Sequence, residues 1–183
     1  STSCGTNTDQ VVVTNELPTA SNPEADFAVC GTQTTITANT PVIGTGEWST
    51  TGVANITSIN SASTEVTNLA PGDNKFTWTI RSSYCGLQET GSVIVTNNKP
   101  TTADAGTDET LCSDTYTLSA NDPVNGTGEW SSVEGAVFSN TTAYNSEVTL
   151  QPGDNHLIWT INQGICDASD DTVLIRNAIP STA

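Results

Sequence analysis

Five cysteines, at positions 4, 30, 85, 112 and 166, carry most of the chemistry available to this sequence. Cysteines pair as disulfides, bind a metal or act as nucleophiles. Metal sites use closely spaced ligands such as Cys-x-x-Cys or Cys/His pairs, and the sequence contains neither pattern. The spacing therefore favours disulfides over metal ligation. Disulfides indicate an oxidising setting, so we expect an extracytoplasmic protein.

A single histidine limits the catalytic chemistry of the chain. Hydrolases of the Ser-His-Asp or Cys-His type need a histidine as general base, and His156 falls on the polar side of a predicted strand. Glu47 and Glu129 could suggest glycoside hydrolysis by paired acids, but each belongs to a different copy of one repeated motif. An active site would have to be assembled across the copies. We therefore predict that the chain is not an enzyme.

Acidic residues at a predicted linker form a candidate calcium site, which consists of Asp104, Asp108 and Glu109. Calcium takes about six to eight oxygen ligands, and carboxylates that chelate one ion would stiffen the linker. The chain has no Asp-x-Asp-x-Asp-Gly loop, so a simply solvated acidic linker is the alternative. Apart from calcium, we expect no cofactor.

The charge balance excludes two classes of partner. Four Lys and Arg residues stand against 20 Asp and Glu residues, which gives a formal net charge of −16. Binding to nucleic acid or to an anionic membrane needs clustered positive charge, and the four cations are scattered. No run approaches the roughly 20 apolar residues of a membrane span. We therefore expect neither nucleic-acid binding nor membrane insertion.

An internal repeat organises these residues. The string Gly44-Thr45-Gly46-Glu47-Trp48-Ser49 recurs as Gly126-Thr127-Gly128-Glu129-Trp130-Ser131. A second string, Pro71-Gly72-Asp73-Asn74, recurs as Pro152-Gly153-Asp154-Asn155, followed in both copies by Trp-Thr-Ile. Cys112 lies 82 residues after Cys30, and Cys166 lies 81 residues after Cys85. Self-similarity at a fixed period is the sequence signature of a tandem array.

The repeat predicts four parts of the chain. Cys4-Gly5, a strand-like stretch over 10–14 and a proline match the end of each full copy. The predicted parts are the C-terminal strand of a preceding repeat (1–17), a first repeat (18–99), a second repeat (100–179) and the start of a following repeat (180–183). Pro-, Asn- and Thr-rich stretches at these boundaries are the candidate linkers.

Period-two alternation predicts that each repeat is built of strands. Phe76, Trp78 and Ile80 share one face, and polar residues alternate with them. Further strands are predicted over 34–38, 46–50, 53–58, 64–69 and 90–96, with counterparts at 115–120, 128–132, 135–139, 146–150 and 171–176. Pro-Gly-Asp-Asn is predicted to be a tight turn. The fold class is therefore all-β, as tandem immunoglobulin-like sandwiches.

Four tryptophans are predicted to lie in the cores rather than to stack on a ligand. Trp48 and Trp130 occupy the early-middle position where immunoglobulin folds place a core tryptophan. The second tryptophan of each repeat, Trp78 or Trp159, is expected on the facing sheet. Aromatic residues are only 5% of the chain, so these side chains must supply much of each small core.

The repeat also suggests how the cysteines pair. Each full copy holds two, so we expect one disulfide per repeat, Cys30 with Cys85 and Cys112 with Cys166. Cys4 matches Cys85 and Cys166, and its partner would belong to a missing upstream repeat. We therefore expect Cys4 to be unpaired.

The second copy resembles a known family. The string 103–112, Ala-Asp-Ala-Gly-Thr-Asp-Glu-Thr-Leu-Cys, is followed by Gly-Thr-Gly-Glu-Trp-Ser at 126–131 and Leu-Ile-Trp-Thr-Ile at 157–161. Cys166 and Asp171-Thr172-Val173 close it. This pattern is similar to the PKD-like, immunoglobulin-like repeats of the very long surface adhesins of gliding Bacteroidota. The first copy departs from it, because 22–27 lacks the Ala-Gly step.

The resemblance implies a secreted, cell-surface protein that is exported by type IX secretion. Such adhesins serve gliding motility and attachment, often through surface polysaccharide or the substratum. In that family Asp-(Ser/Thr)-hydrophobic is an O-glycosylation signal, which makes Thr172 a candidate site.

We therefore expect a non-enzymatic stalk in which each repeat contacts its neighbours along the chain. Two alternatives stay open. The repeats could be carbohydrate-binding modules of a secreted enzyme, with Tyr84, Tyr116, Tyr144 and Phe138 as the available aromatic residues. They could also form a structural subunit of a surface filament.

Overall fold

A computed structural model describes residues 5 and 7–180 of the chain, and in this part every regular element is a β-strand. Short strands rich in Thr and Val alternate with Gly, Asn and Pro turns, as the composition favours. The strands are β1 (Phe27–Val29), β2 (Thr34–Thr37), β3 (Thr45–Thr50), β4 (Asn55–Ile56), β5 (Ser63–Thr67), β6 (Gly72–Arg81), β7 (Gln88–Asn97), β8 (Glu109–Leu111), β9 (Thr115–Thr117), β10 (Thr127–Ser132), β11 (Val137–Phe138), β12 (Glu147–Thr149), β13 (Gly153–Asn162) and β14 (Ser169–Asn177).

The first seven strands form two sheets. One has the order β1-β7-β6-β3 and the other the order β2-β5-β4. Pro23 makes an isolated bridge with Ala38 beside the second sheet before the chain crosses to the first. There β1 runs parallel to β7, with Val29 opposite Asn97. The chain therefore contacts both sheets before the first long strand begins.

The last seven strands repeat this arrangement, with sheets β10-β13-β14-β8 and β11-β12-β9. In both halves the second, fifth and fourth strands share one sheet, and the third, sixth and seventh share the other. This division is that of an immunoglobulin-type sandwich. The all-β, immunoglobulin-like prediction is confirmed. The residue boundaries predicted for the repeats stay predictions.

Each half has its own hydrophobic core. Trp48 lies directly opposite Trp78 on the adjacent strands β3 and β6, with ring centroids 5.1 Å apart. Trp130 and Trp159 repeat this pair at the same 5.1 Å. All four rings are buried, as predicted. The expectation that the second tryptophan comes from the facing sheet is wrong, because its strand hydrogen-bonds to the strand of the first.

Glycine makes this pairing of rings fit. A Cβ on Gly46 would lie 2.0 Å from Trp78 Cζ2, and a Cβ on Gly128 would lie 2.0 Å from Trp159 Cζ2. Neither position tolerates a side chain without movement of the indole. The Gly-Glu-Trp string is therefore a packing motif, and the glutamates Glu47 and Glu129 point to solvent.

A buried asparagine fixes the chain at the start of β6 and at the start of β13. The Asn74 side-chain amide donates to the carbonyl oxygens of Ala70, Gly72 and Val95, and its Oδ1 accepts from Ala70 N–H. Asn155 makes the equivalent four bonds in the second half. β6 begins at Gly72 and β13 at Gly153, so three residues of each Pro-Gly-Asp-Asn string already lie in the strand, and the asparagine holds the bend that leads into it.

Two short strands were not predicted, and one predicted strand is not formed. The three-residue strands β1 and β8 are too short to show a period. Residues 10–14 have no sheet partner, and Val11, Val12 and Val13 are exposed. A strand needs a neighbour to pair its backbone groups, and the described residues supply none at this segment.

Candidate functional site at the joint between the sandwiches

The strand directions decide where each cysteine lies. Cys30 follows β1, whose last residue is opposite Asn97, so it lies at the end of the sandwich where β7 stops. Cys85 lies in the β6–β7 loop, which begins where Arg81 is opposite Gln88. These are the two ends of a ten-residue strand, about 30 Å apart at 3.4 Å per residue. Cys30 therefore cannot reach Cys85.

Cys30 instead forms a disulfide with Cys166, across a sequence separation of 136 residues. Cys166 lies in the β13–β14 loop of the second sandwich, at the end that faces the first. The pairing of Cys30 with Cys85 and of Cys112 with Cys166 is therefore corrected by this structure. A disulfide needs the two Cα atoms within about 7 Å, and the ends of consecutive sandwiches satisfy this condition at 5.5 Å.

The linker is hydrogen-bonded to both sandwiches beside the disulfide. Asn98 N–H donates to Val29 O at 2.8 Å, on the first sandwich. Thr101 N–H donates to Asn125 O at 2.9 Å, on the second. The disulfide and residues 99, 100, 102 and 167–169 line a depression of about 260 Å³. The joint is therefore a packed, covalently linked contact between the sandwiches.

The side chain of Asn125 adds two bonds across the joint. Its Nδ2 donates to the carbonyl oxygens of Asn97 at 3.2 Å and Lys99 at 2.7 Å. The equivalent residue in the first sandwich is Ile43, whose carbonyl accepts from Thr19 N–H but whose side chain has no polar atom. Asn125 thus makes two side-chain bonds to the incoming linker that Ile43 cannot make in the first sandwich.

Among the described residues, Cys85 and Cys112 are the free cysteines, and both are exposed. The Ser82 hydroxyl lies 3.1 Å from Cys85 Sγ. This hydroxyl, followed by the Leu87 backbone N–H, lowers the pKa of the Cys85 thiol, because both can donate to the thiolate. The thiolate is the form that attacks disulfides. Cys4 lies outside the described residues, so its predicted unpaired state stays a prediction.

The three acidic residues of the predicted calcium site have separate hydrogen-bond partners. Asp104 Oδ1 accepts from Gly106 N–H at 3.0 Å, and Asp108 Oδ1 accepts from Leu174 N–H at 2.9 Å. Glu109 lies on β8, exposed. Within residues 5 and 7–180, no three His, Cys, Asp or Glu side chains come together as metal ligands. The structure thus gives Asp108 a backbone-binding role, and calcium binding stays a prediction.

The proposed glycosylation residue is accessible. Thr172 lies on β14 opposite Ile158 and is exposed. Its neighbour Asp171 accepts a hydrogen bond from the Ala105 N–H at 2.8 Å. Modification of Thr172 stays a prediction.

His156 has an acidic partner on the protein surface. Its Nδ1 lies 2.7 Å from Glu134 Oε1, and its backbone N–H donates to Glu134 Oε2 at 2.7 Å. The hydrogen bond to the imidazole, followed by that from the backbone, lowers the pKa of Glu134. Both side chains reach solvent. This pair is a surface contact between a loop and β13.

Comparisons with solved structures give distant matches. The chain is 15% identical to the fibronectin(III)-like modules of Clostridium thermocellum CbhA, over 89% of this chain and 98% of that one, with a TM-score of 0.34. It is 12% identical to a structure of three titin immunoglobulin domains, over 89% and 66%, with a TM-score of 0.46. It is 10% identical to extracellular domains 3–5 of Drosophila OTK, over 85% and 59%, with a TM-score of 0.38.

No protein-family model matches the chain, and no curated protein matches it either. The scores against solved structures are low, so the immunoglobulin-type assignment rests on the strand order described above. In the described part of the chain, no helix is long and apolar enough to cross a membrane.

One sequence signal could have located the disulfide. Cys30 directly follows Phe27-Ala28-Val29, and Cys112 directly follows Glu109-Thr110-Leu111. A first strand that pairs parallel to the last strand ends beside the outgoing linker, and a cysteine placed there faces the next repeat. Because these strands have only three residues, the sequence pattern does not show that they run parallel to the last strand of their sandwich.

Proposed function

We propose that this chain is a stalk segment of a long, secreted cell-surface adhesin, without enzymatic activity. Immunoglobulin-type sandwiches are typical of structural and adhesion modules on cell surfaces. The sequence resemblance to the repeats of gliding Bacteroidota adhesins supports gliding motility and attachment as the setting. The observation that carries the proposal is the Cys30–Cys166 disulfide, which links two consecutive sandwiches end to end.

The disulfide changes how the chain transmits a pulling force. A force applied at the two termini reaches Cys30, crosses the disulfide and leaves from Cys166. The polypeptide between these residues is bypassed, because the covalent link is the shorter path. Both long strands β6 and β13 lie between Cys30 and Cys166, so the force bypasses them. The two sandwiches can therefore bear load without releasing most of their length.

The charge of the chain also suits a stalk. A net charge of −16 on 183 residues keeps copies apart, because like charges disfavour association. Self-assembly into a filament would need complementary surfaces, and the chain has four cations to offer. The stalk is therefore favoured over the filament subunit.

Single-molecule pulling on the whole chain tests the load path. An extended chain spans about 3.3–3.6 Å for each residue, so the 136-residue separation hides roughly 450–490 Å. We expect Cys30→Ser to release this extra length on unfolding, and Cys85→Ser, an exposed free cysteine, to behave like the unsubstituted chain. Equal released length in the oxidised chain and in Cys30→Ser would contradict the proposed load path.

Surface labelling tests the cellular part of the proposal. An antibody raised against the folded chain should label intact, unpermeabilised cells that produce the protein. Its displacement along the cell during gliding would support a motility adhesin. Labelling that appears only after permeabilisation would rule the proposal out.

Exposed tyrosines support a second candidate function, carbohydrate binding. Tyr84 is 82% exposed and Tyr144 is 38% exposed, whereas Tyr116 and Phe138 pack against the core. Sugar sites use exposed aromatic rings as platforms. Specific signal on a glycan array that is lost in Tyr84→Ala or Tyr144→Ala would favour this function over the stalk.

A further inference from the structure

The free cysteines occupy the same positions as the bonded ones. Cys112 follows Leu111, which lies opposite Asn177, as Cys30 follows Val29 opposite Asn97. Cys85 lies in the loop between the sixth and seventh strands, as Cys166 does in its own sandwich. Each sandwich thus carries one cysteine at its outgoing end and one at its incoming end.

The outgoing end of the second sandwich has the geometry of the completed joint. Ala178 N–H donates to Leu111 O at 2.8 Å. In the completed joint, Asn98 N–H donates to Val29 O at the same 2.8 Å. The linker therefore leaves the second sandwich past Cys112 along the course by which it leaves the first sandwich past Cys30.

The incoming end of the first sandwich also matches. Cys85 Sγ lies 3.4 Å from Glu16 O, and Glu16 holds the linker position equivalent to Asn98. Thr19 N–H donates to Ile43 O, as Thr101 N–H donates to Asn125 O. Cys85 thus sits beside its incoming linker at the place where the joint disulfide would form.

The segment before this linker points to the missing partner. Val11 and Val13 are equivalent by the repeat to Val93 and Val95, which are fully buried in the first sandwich. Here they are 85% and 88% exposed. Apolar side chains in a strand-like pattern are covered in every complete sandwich of this chain, so a further sandwich is the occupant that fits.

We infer that Cys112 and Cys85 are open halves of the same joint disulfide, each bonding a cysteine of a further repeat of this kind. A repeat that follows would supply the counterpart of Cys166 to Cys112. A repeat that precedes would supply the counterpart of Cys30 to Cys85. This inference deepens the proposed function, on which it rests, by naming the neighbouring repeat as the partner of each thiol.

The bond forms by thiol–disulfide exchange with an oxidant that is itself a disulfide, either a protein oxidoreductase or a small-molecule disulfide. The Cys85 thiolate attacks the oxidant and releases one thiol, which leaves a mixed disulfide. The partner thiolate then attacks the Cys85 sulfur and releases the second thiol. Two protons and two electrons pass from the pair of cysteines to the oxidant.

Repetition of this bond would make overlapping covalent loops. Each repeat would be bonded at its outgoing end to the following repeat and at its incoming end to the preceding one. A force along the array would then pass through disulfides rather than through the folded strands of each repeat. The stalk would extend little even where a sandwich had lost its hydrogen bonds.

The test extends the whole chain by one repeat. Residues 101–183 are added after Pro180, with Cys112→Ser and Ile165→Val in the added copy so that its single cysteine peptide differs in mass. After oxidation in a disulfide buffer, peptide mapping should find the added cysteine bonded to Cys112 and Cys30 still bonded to Cys166. Iodoacetamide should label the exposed Cys112 in the unextended chain and should no longer label it in the extended one.

A mirrored extension tests the other thiol. Residues 1–99, with Cys4→Ser and Cys85→Ser so that one cysteine remains and Ala28→Ser as mass tag, are placed ahead of Pro18 of the chain. The added counterpart of Cys30 should bond to Cys85. The control is the same extension with Cys85→Ser in the original copy, in which the added cysteine should stay open to alkylation.

The inference is overturned if Cys112 stays free in the chain extended at its C-terminus, or if Cys85 stays free in the chain extended at its N-terminus. It is also overturned if either cysteine bonds to a cysteine of its own repeat. Loss of the Cys30–Cys166 bond in the unextended chain would overturn it as well, because that bond is the precedent. These outcomes are independent of surface labelling. The disulfide inference can therefore be contradicted while the proposed adhesin function is supported, and the reverse.

Discussion

Asp171 accepts a hydrogen bond from the backbone N–H of Ala105, and the equivalent positions in the first sandwich hold Gly91 and Pro23. Proline has no N–H to satisfy. A Cβ on Gly91 would lie 2.5 Å from Pro23 Cδ, so the glycine leaves room for the ring. One contact between the entering chain and the seventh strand is therefore made in two ways, by shape in one copy and by a hydrogen bond in the other.

This relationship predicts a compensated pair of substitutions. Asp171→Gly should destabilise the second sandwich by about 1–3 kcal/mol, because it leaves the buried Ala105 N–H without an acceptor. Adding Ala105→Pro removes that N–H and recreates the arrangement of the first sandwich, so the double variant should recover most of the loss. Urea unfolding followed by tryptophan fluorescence measures both. Additive losses in the double variant would contradict the interpretation.

The close contact between glycine and indole gives a second prediction. Gly128→Ala would place its Cβ 2.0 Å from Trp159 Cζ2, and overpacking of this kind costs about 1–3 kcal/mol or more. Thermal unfolding should show a clear loss of stability. Gly52→Ala is the matched control, because its Cβ would approach nothing closer than 3.8 Å. Equal stability of the two variants would show that Trp159 moves away freely.

The buried asparagine of the turn gives a third prediction. Asn155→Ala removes four hydrogen bonds and leaves the Gln151 N–H and three carbonyl oxygens with fewer partners. We expect a loss of about 2–3 kcal/mol, since each unsatisfied buried group costs about 1–3 kcal/mol and water can reach part of the turn. The exposed Asn145→Ala should change stability by less than about 0.5 kcal/mol. Denaturant midpoints of the two variants that coincide would contradict the role of Asn155.

The sequence was enough to predict features that depend on local pattern. Alternation placed Phe76, Trp78 and Ile80 on one buried face, and the repeated strings located the equivalent positions of the two sandwiches. These features follow from the two-residue period of a strand. They need no knowledge of which strands are neighbours.

Features that depend on strand neighbours could not be predicted in the same way. The pairing of Cys30 depends on β1 running parallel to β7, and three residues carry too little pattern to show that direction. The sequence also could not show that Trp78 shares a sheet with Trp48, because the two-residue period does not say which sheet a strand joins. The sequence marks Asp108 only as a candidate calcium ligand, and its bond to the Leu174 N–H is visible only once β14 is placed beside it.

The clasp at the joint gives a fourth prediction. Asn125→Ile gives the second sandwich the residue of the first and removes both side-chain bonds to the linker. The joint should open more often, so dithiothreitol should reduce the Cys30–Cys166 disulfide faster in this variant. The mirror substitution Ile43→Asn lies away from this disulfide and serves as the control. Unchanged reduction kinetics in Asn125→Ile would mean that the clasp does not hold the joint closed.

The pair of Glu134 and His156 gives a prediction about pH. Hydrogen bonds from the imidazole and from the backbone N–H of His156 lower the pKa of Glu134 in the folded state. A carboxyl group with a lowered pKa stabilises the fold above its unfolded pKa, and this contribution is lost as the pH falls through the folded value. Glu134→Gln should therefore lower the melting temperature slightly at neutral pH, and the difference should shrink as the pH falls below the usual carboxyl range. Since both groups reach solvent, added salt should reduce the difference. Glu129→Gln, exposed on β10, should show no such trend, and a Glu134→Gln effect that is the same at every pH would assign the loss to packing rather than to charge.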